Sequence, residues 1–131
     1  MLFRSTAFHC LVNNCKTENV CKMNAFLGEN CEGRALQQSS GMNYGIHTVG
    51  ADGFIPMLTI DSLNLRRLDV LQLDVEGHEM AALKGGVETI KKFKPAIQLE
   101  RFDNDKQRAF METLGYKYVE SRKMDTIYLP E

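Results

Sequence analysis

The 131-residue chain lacks a charge excess, a long apolar run and the familiar short signatures of phosphate binding and acyl transfer. Each absence removes a class of function. Lys plus Arg total 16 against 17 Asp plus Glu, a formal charge of -1, so no overall field gathers the protein onto nucleic acid or an anionic membrane. The basic steps Arg66-Arg67 and Lys91-Lys92 read as solvated faces. No apolar stretch approaches the roughly 20 residues of a membrane helix, and Arg4 and His9 interrupt the N-terminal segment that most resembles a secretory one. A cytoplasmic protein with neither nucleic-acid nor membrane partners is expected. There is no G-x-x-x-x-G-K-[ST] loop, no G-x-S-x-G elbow, no H-E-x-x-H and no internal repeat.

Cysteine is confined to the first quarter of the chain, at Cys10, Cys15, Cys21 and Cys31, and no two form a C-x-x-C pair. Zinc sites usually bring closely spaced ligand pairs, whereas the adjacent His9 and Cys10 point in different directions on a helix. Free, mostly buried thiols in a reducing compartment are expected, with no metal.

The hydrophobic pattern divides the chain. Phe3, Ala7, Cys10 and Leu11 recur at helical spacing and predict a helix over residues 2–14. Cys21, Met23 and Ala25 alternate with Lys22 and Asn24, predicting a strand over 19–25 that Gly28 closes. From 29 to 53 the glycines supply turns, and the expectation is a long loop with room for a short strand, in the place of a substrate or lid segment. Residues 54–60 read as a short strand, with Asp61 or Ser62 placed to cap a brief helical turn. The apolar run 70–75 suits an interior parallel strand covered on both faces.

Met80, Leu83, Val87 and Ile90 then form a helical stripe broken at Gly85-Gly86. Pro95 forbids its continuation, and 96–100 predicts a further strand. A helix opened by Asp103 carries Ala109, Phe110 and Leu114 and ends at Gly115, and two strands around 121–125 close the chain as a hairpin. Strand and helix alternate as in an α/β layered domain, here a single one spanning 1–131.

In an open parallel sheet, ligands bind beyond the carboxyl ends of the strands. That rule selects Asn24 and Ala25, then Asp74 with Glu76, Gly77, His78 and Glu79, and finally Glu100. The three acids after the 70–73 strand have two readings. Carboxylates complement a helix N-terminus, yet such a cap needs one acid, and three within six positions repel unless a cation, proton or donor compensates. The second consideration favours a functional rim. His78 reads as a helix-surface residue, and Tyr44 as a loop anchor or a stacking platform.

The run Thr59-Ile-Asp-Ser-Leu63, the motif Asp74-Val-Glu-Gly-His-Glu79, the step Leu83-Lys-Gly85 and the strand Lys94-Pro-Ala-Ile-Gln-Leu-Glu100 together resemble the FkbM-type methyltransferases. Ala25-x-x-Gly28 and Asn43-Tyr-Gly45 are similar to two further family features, and the likeness spans about 7–129. The resemblance implies a methyltransferase using S-adenosylmethionine as cofactor, moving a methyl group to a hydroxyl on a sugar or natural product. It implies a Rossmann-like class I sheet of order 3-2-1-4-5-7-6, mostly parallel, with helices on both faces and a C-terminal antiparallel hairpin.

By that mapping the chain supplies strands 3 to 7 and lacks strands 1 and 2, so the domain is expected to be truncated at its N-terminal side. Two missing neighbours leave a gap of about 14 Å at ~4.8 Å per strand. Weak or absent cofactor binding by the isolated chain is therefore expected, as is a partner chain or self-association at the exposed sheet edge. The roles implied are Asp74, Glu76 and Glu79 as catalytic acids, Asn24, Ala25 and Asp74 at the cofactor, and Asn43 and Glu100 toward a small-molecule or glycan hydroxyl acceptor. The competing reading is a non-catalytic α/β fragment that associates through its open edge. A nucleotide-binding module of another doubly wound family would require a phosphate cradle that the sequence does not supply.

Overall fold

The apolar runs Val70–Leu73 and Ala96–Glu100 lie side by side as parallel strands, and the rest of a mixed α/β arrangement is organised around them. The computed structural model describes residues 23, 25–34, 36–38, 47–49, 55–75, 77–100 and 104–131. The strands among them are β1 (Phe26–Leu27), β2 (Glu32–Arg34), β3 (Leu36–Gln38), β4 (His47–Val49), β5 (Ile55–Leu58), β6 (Val70–Leu73), β7 (Ala96–Glu100), β8 (Tyr116–Arg122) and β9 (Asp125–Pro130). The α-helices are α1 (Glu79–Lys84), α2 (Val87–Phe93) and α3 (Asp105–Thr113), and a 3-10 turn occupies Asp61–Leu63.

Three sheets result, ordered β1-β5-β2, β3-β4 and β6-β7-β9-β8. In the largest, β6 and β7 are parallel, with Leu73 beside Leu99. The C-terminal hairpin turns back so that β9 lies antiparallel between β7 and β8. A register shift between Tyr118 and Glu120 places a bulge at Val119 on the outer strand β8. The core packs Leu73, Leu83, Ile90, Ile97, Leu99, Met111, Tyr116 and Tyr128. Burying a Leu or Ile side chain contributes about 1.5–3 kcal/mol, so this cluster dominates the stability of the sheet and its helices.

The helical stripe holds as expected: Leu83 and Ile90 are buried, Met80 and Val87 pack against the core, and Gly85-Gly86 separates α1 from α2. Strand β7 matches its expected bounds, and Gly115 ends the last helix with φ at +74°. Helix α3 begins after Asn104, whose Oδ1 accepts the Gln107 N–H at 2.9 Å. Its inner face is Gln107, Met111 and Leu114, while Ala109 is exposed.

Other expectations are corrected. The stretch 29–53 contains β2, β3 and β4, each of three residues, too short for a period-two pattern to appear in the sequence. Of the strand expected over 19–25 only Met23 and Ala25 are described, and neither is in a strand; the described strand there is β1, where Phe26 and Leu27 pair with Met57 and Leu58, and the other positions lie outside the described residues. A mostly parallel sheet is not found among the described residues, since β9 returns antiparallel beside β7. Nor is β6 covered on both faces. Val70 is 63% exposed and Gln72 is exposed, and among the described residues β6 lies at the edge of its sheet. The helix expected over 2–14 lies outside the described residues, as do Cys10, Cys15 and Cys21.

Candidate functional site

Three neighbouring strands end on one row. Leu73 of β6 pairs in register with Leu99 of β7, and Leu99 with Thr126 of β9. One step further along the same direction come Asp74, Glu100 and Asp125, with Glu100 and Asp125 directly opposite each other. Like charges facing across an antiparallel pair cost stability. The three carboxylates thus share the end of the sheet beyond which ligands of open α/β sheets bind. Asp74 is exposed, and Glu100 and Asp125 are half-buried. The sequence reading placed Asp74 and Glu100 on this rim and missed Asp125, whose position depends on the antiparallel return of β9.

The loop after β6 is shaped by Glu79. Its side chain is buried, and Oε1 accepts the backbone N–H groups of Val75 at 3.2 Å and Gly77 at 3.3 Å. The turn needs Gly77, whose φ is +92°. His78 begins the helix with its backbone, its carbonyl accepting the Ala82 N–H at 2.9 Å, and its side chain makes no capping bond. Thus Glu79 fixes the loop and Asp74 is left on the rim.

The other motif residues support this frame. Among the described residues, Gly28 and Gly85 meet so closely that a Cβ on Gly85 would collide with the Gly28 carbonyl oxygen. That contact joins the turn after β1 to the helix break, and the exposed Lys84–Glu29 ion pair lies beside it at 3.3 Å. The sequence places Asp61 or Ser62 to cap the turn at this point. The Asp61 carboxylate instead accepts the Thr89 N–H at 2.8 Å and the Glu88 N–H at 3.3 Å, capping α2, while the Thr59 hydroxyl accepts the Ser62 N–H at 3.0 Å.

Lys94 adopts φ of +49° at the end of α2 and donates from Nζ to the Leu114 carbonyl at 2.9 Å. Pro95 presents its carbonyl to the Tyr116 hydroxyl at 2.8 Å, and burial raises the Tyr116 pKa to about 12. Cys31 is exposed, and hydrogen bonding from the Thr59 backbone, then from the Ser62 side chain, lowers its thiol pKa.

Ala25 is half-buried just before β1, and Asn24, Asn43 and Glu76 lie outside the described residues. No group of three metal-binding side chains occurs among the described residues. No helix among them is long and apolar enough to cross a membrane.

A family model described as the methyltransferase FkbM domain matches residues 9–118. Comparison with curated proteins and with solved structures returned no match.

Proposed function

We propose a reaction from one premise: the chain belongs to the FkbM methyltransferase domain family, and such a domain indicates a methyltransferase that uses S-adenosylmethionine. The proposal is methyl transfer to a hydroxyl oxygen of a sugar or related natural product. Its main support is the acidic row Asp74, Glu100 and Asp125 at the carboxyl end of the four-stranded sheet. The strand order β6-β7-β9-β8 also has the connectivity that the 4-5-7-6 half of the family sheet would have.

The donor set suits a cationic cofactor, because exposed and half-buried carboxylates gather where ligands of open α/β sheets bind. Asp74 would lie nearest the transferring methyl group, Ala25 and Asn24 beside the adenine, and Glu100 and Asn43 toward the acceptor. When bound, S-adenosylmethionine supplies an electrophilic methyl group on a positively charged sulfur. Asp74, alone or with Glu76, would accept a hydrogen bond from the acceptor hydroxyl and take its proton as the methyl carbon bonds to that oxygen and its bond to sulfur breaks, leaving a neutral thioether. Alignment of acceptor and methyl in one line contributes most of the acceleration. Glu79 is a positioning residue in this scheme, since its carboxylate clamps the loop that carries Asp74.

Cofactor affinity is a separate quantity. With the sheet ending at β6 among the described residues, the isolated chain is proposed to bind S-adenosylmethionine weakly, and a micromolar or tighter Kd by titration calorimetry would overturn that. The reaction is tested by incubating the full chain with methyl-labelled cofactor and a panel of hydroxylated saccharides. Label appearing as a methyl ether supports the proposal; label on nitrogen or carbon of any acceptor, with none on oxygen, would refute it.

A further inference from the structure

The inner face of helix α3 is formed by Gln107, Met111 and Leu114, at i, i+4 and i+7. Two of the three are apolar core residues; the first is an amide. Gln107 is 1% exposed, and among the described residues its Nε2 finds no hydrogen-bond partner. Its backbone N–H is donated to Asn104 Oδ1 at 2.9 Å, so the cap serves the main chain and not the side chain. A buried donor left unpaired carries its full desolvation cost, which a methionine of similar length at the same position avoids. The amide therefore weakens the fold where it stands.

The fold sets that amide at the rim. Helix α3 runs the length of β7: its N-cap lies four residues after Glu100, and at its far end the Leu114 carbonyl accepts Lys94 Nζ at 2.9 Å, two residues before β7 begins. The first turn of α3 consequently lies at the carboxyl end of the strand, where ligands of open α/β sheets bind. Helical side chains lean toward the N-terminus of their helix, so the long Gln107 side chain reaches from that turn toward the rim. Asp105 and Lys106, on the same turn, are exposed. Thr126, the buried polar residue paired with Leu99 on the neighbouring strand, has its hydroxyl 3.2 Å from the Ser121 hydroxyl. Thr126 is thereby satisfied within the hairpin, and Gln107 is not.

We propose that Gln107 is a specificity-determining residue on the acceptor side, donating from Nε2 to an oxygen of a saccharide held beyond the end of β7. This rests on the reading of the site as one that methylates a hydroxyl. A saccharide hydroxyl both donates and accepts. Glu100, at the end of β7, is an acceptor for such a group, and the Gln107 amide is the complementary donor to an oxygen lone pair. Rotation about the glutamine side-chain bonds carries the amide from the layer between helix and sheet to the rim, a rearrangement common on binding. A site that bonds an oxygen in this way rejects the analogue lacking it, because the amide is then left unpaired again.

Gln107→Met keeps the length of the side chain, removes the amide and separates this role from a structural one. The full chain carrying it is expected to unfold at a higher urea concentration than the wild type. With the hydroxylated saccharides that the wild type methylates, its saccharide KM is expected to rise about tenfold, by a larger factor than kcat falls. The side-chain amide resonances of Gln107 in isotope-labelled wild type, identified by their loss in the variant, are expected to shift as a saccharide of that panel is titrated in. This last readout does not depend on turnover. A variant less stable than the wild type shows that the amide has a partner within the fold and overturns the proposal. So does an unchanged saccharide KM, or a set of resonances that no saccharide of the panel moves. Methyl ethers formed with an unchanged KM refute the role of Gln107 alone, whereas label on nitrogen together with shifted resonances refutes the reaction and upholds the saccharide contact.

Discussion

The carboxylate of Asp61 accepts the backbone N–H of Thr89 at 2.8 Å, so a residue just beyond β5 supplies the N-terminal cap of helix α2. The same residue donates its own N–H to the Gly85 carbonyl at 2.9 Å. Asp61→Ala removes the side-chain half of this link. It is expected to cost about 1–2 kcal/mol in urea unfolding, with Asp61→Asn recovering part of the loss. Equal stability of the Ala variant and the wild type would show that α2 starts without this cap.

The glycines at positions 77 and 85 separate two physical demands. A Cβ at Gly77 meets nothing within 4 Å, so Gly77→Ala meets only the unfavourable φ, worth about 1–2 kcal/mol. A Cβ at Gly85 meets the backbone of Gly28, which has no side chain to move aside. Gly85→Ala is expected to be the more damaging of the two, and thermal unfolding of both variants gives the order directly.

Tyr116 makes stability sensitive to alkali. Its pKa is raised to about 12 by burial, above the usual tyrosine value near 10, so the folded state favours the neutral phenol. Its contribution is complete below about pH 10 and is lost as the pH rises toward 12. Spectrophotometric titration is expected to show a late-ionising step that Tyr116→Phe removes. The Phe variant also leaves the Pro95 carbonyl without its 2.8 Å donor, at a cost of about 1–3 kcal/mol.

Asp74 and Glu79 are expected to respond differently to neutralisation. Asp74→Asn leaves the fold within about 0.5 kcal/mol, because the side chain is exposed, and reduces methyl transfer at least about tenfold. Glu79→Gln weakens two charge-assisted bonds to the loop, so hydrogen exchange at the Val75 and Gly77 amides should accelerate. Unchanged exchange in that variant would remove Glu79 from its positioning role.

What could be read from the sequence follows the length of each signal. The stripe Met80, Leu83, Val87 and Ile90, the break at Gly85-Gly86 and the strand ended by Glu100 rest on patterns within one element, and they appear as expected. The pairing of Phe26 with Met57, the cap from Asp61 to Thr89 and the alignment of Asp125 with Glu100 join residues distant in sequence. No local periodicity encodes them. The three-residue strands β2, β3 and β4 fall below the length at which alternation is visible. Two of the acids on the rim were legible because they close or directly follow apolar runs; Asp125 opens its strand, and only the hairpin's reversal brings it alongside.

The bulge at Val119 has a consequence for how far assembly can go. It distorts the outermost strand of the large sheet on the side away from β6, and the exposed Lys117 and Arg122 flank it with charge. Such an edge resists templating by another chain. Templated growth from this edge is therefore disfavoured, and the protein should resist forming ribbons or fibrils through β8.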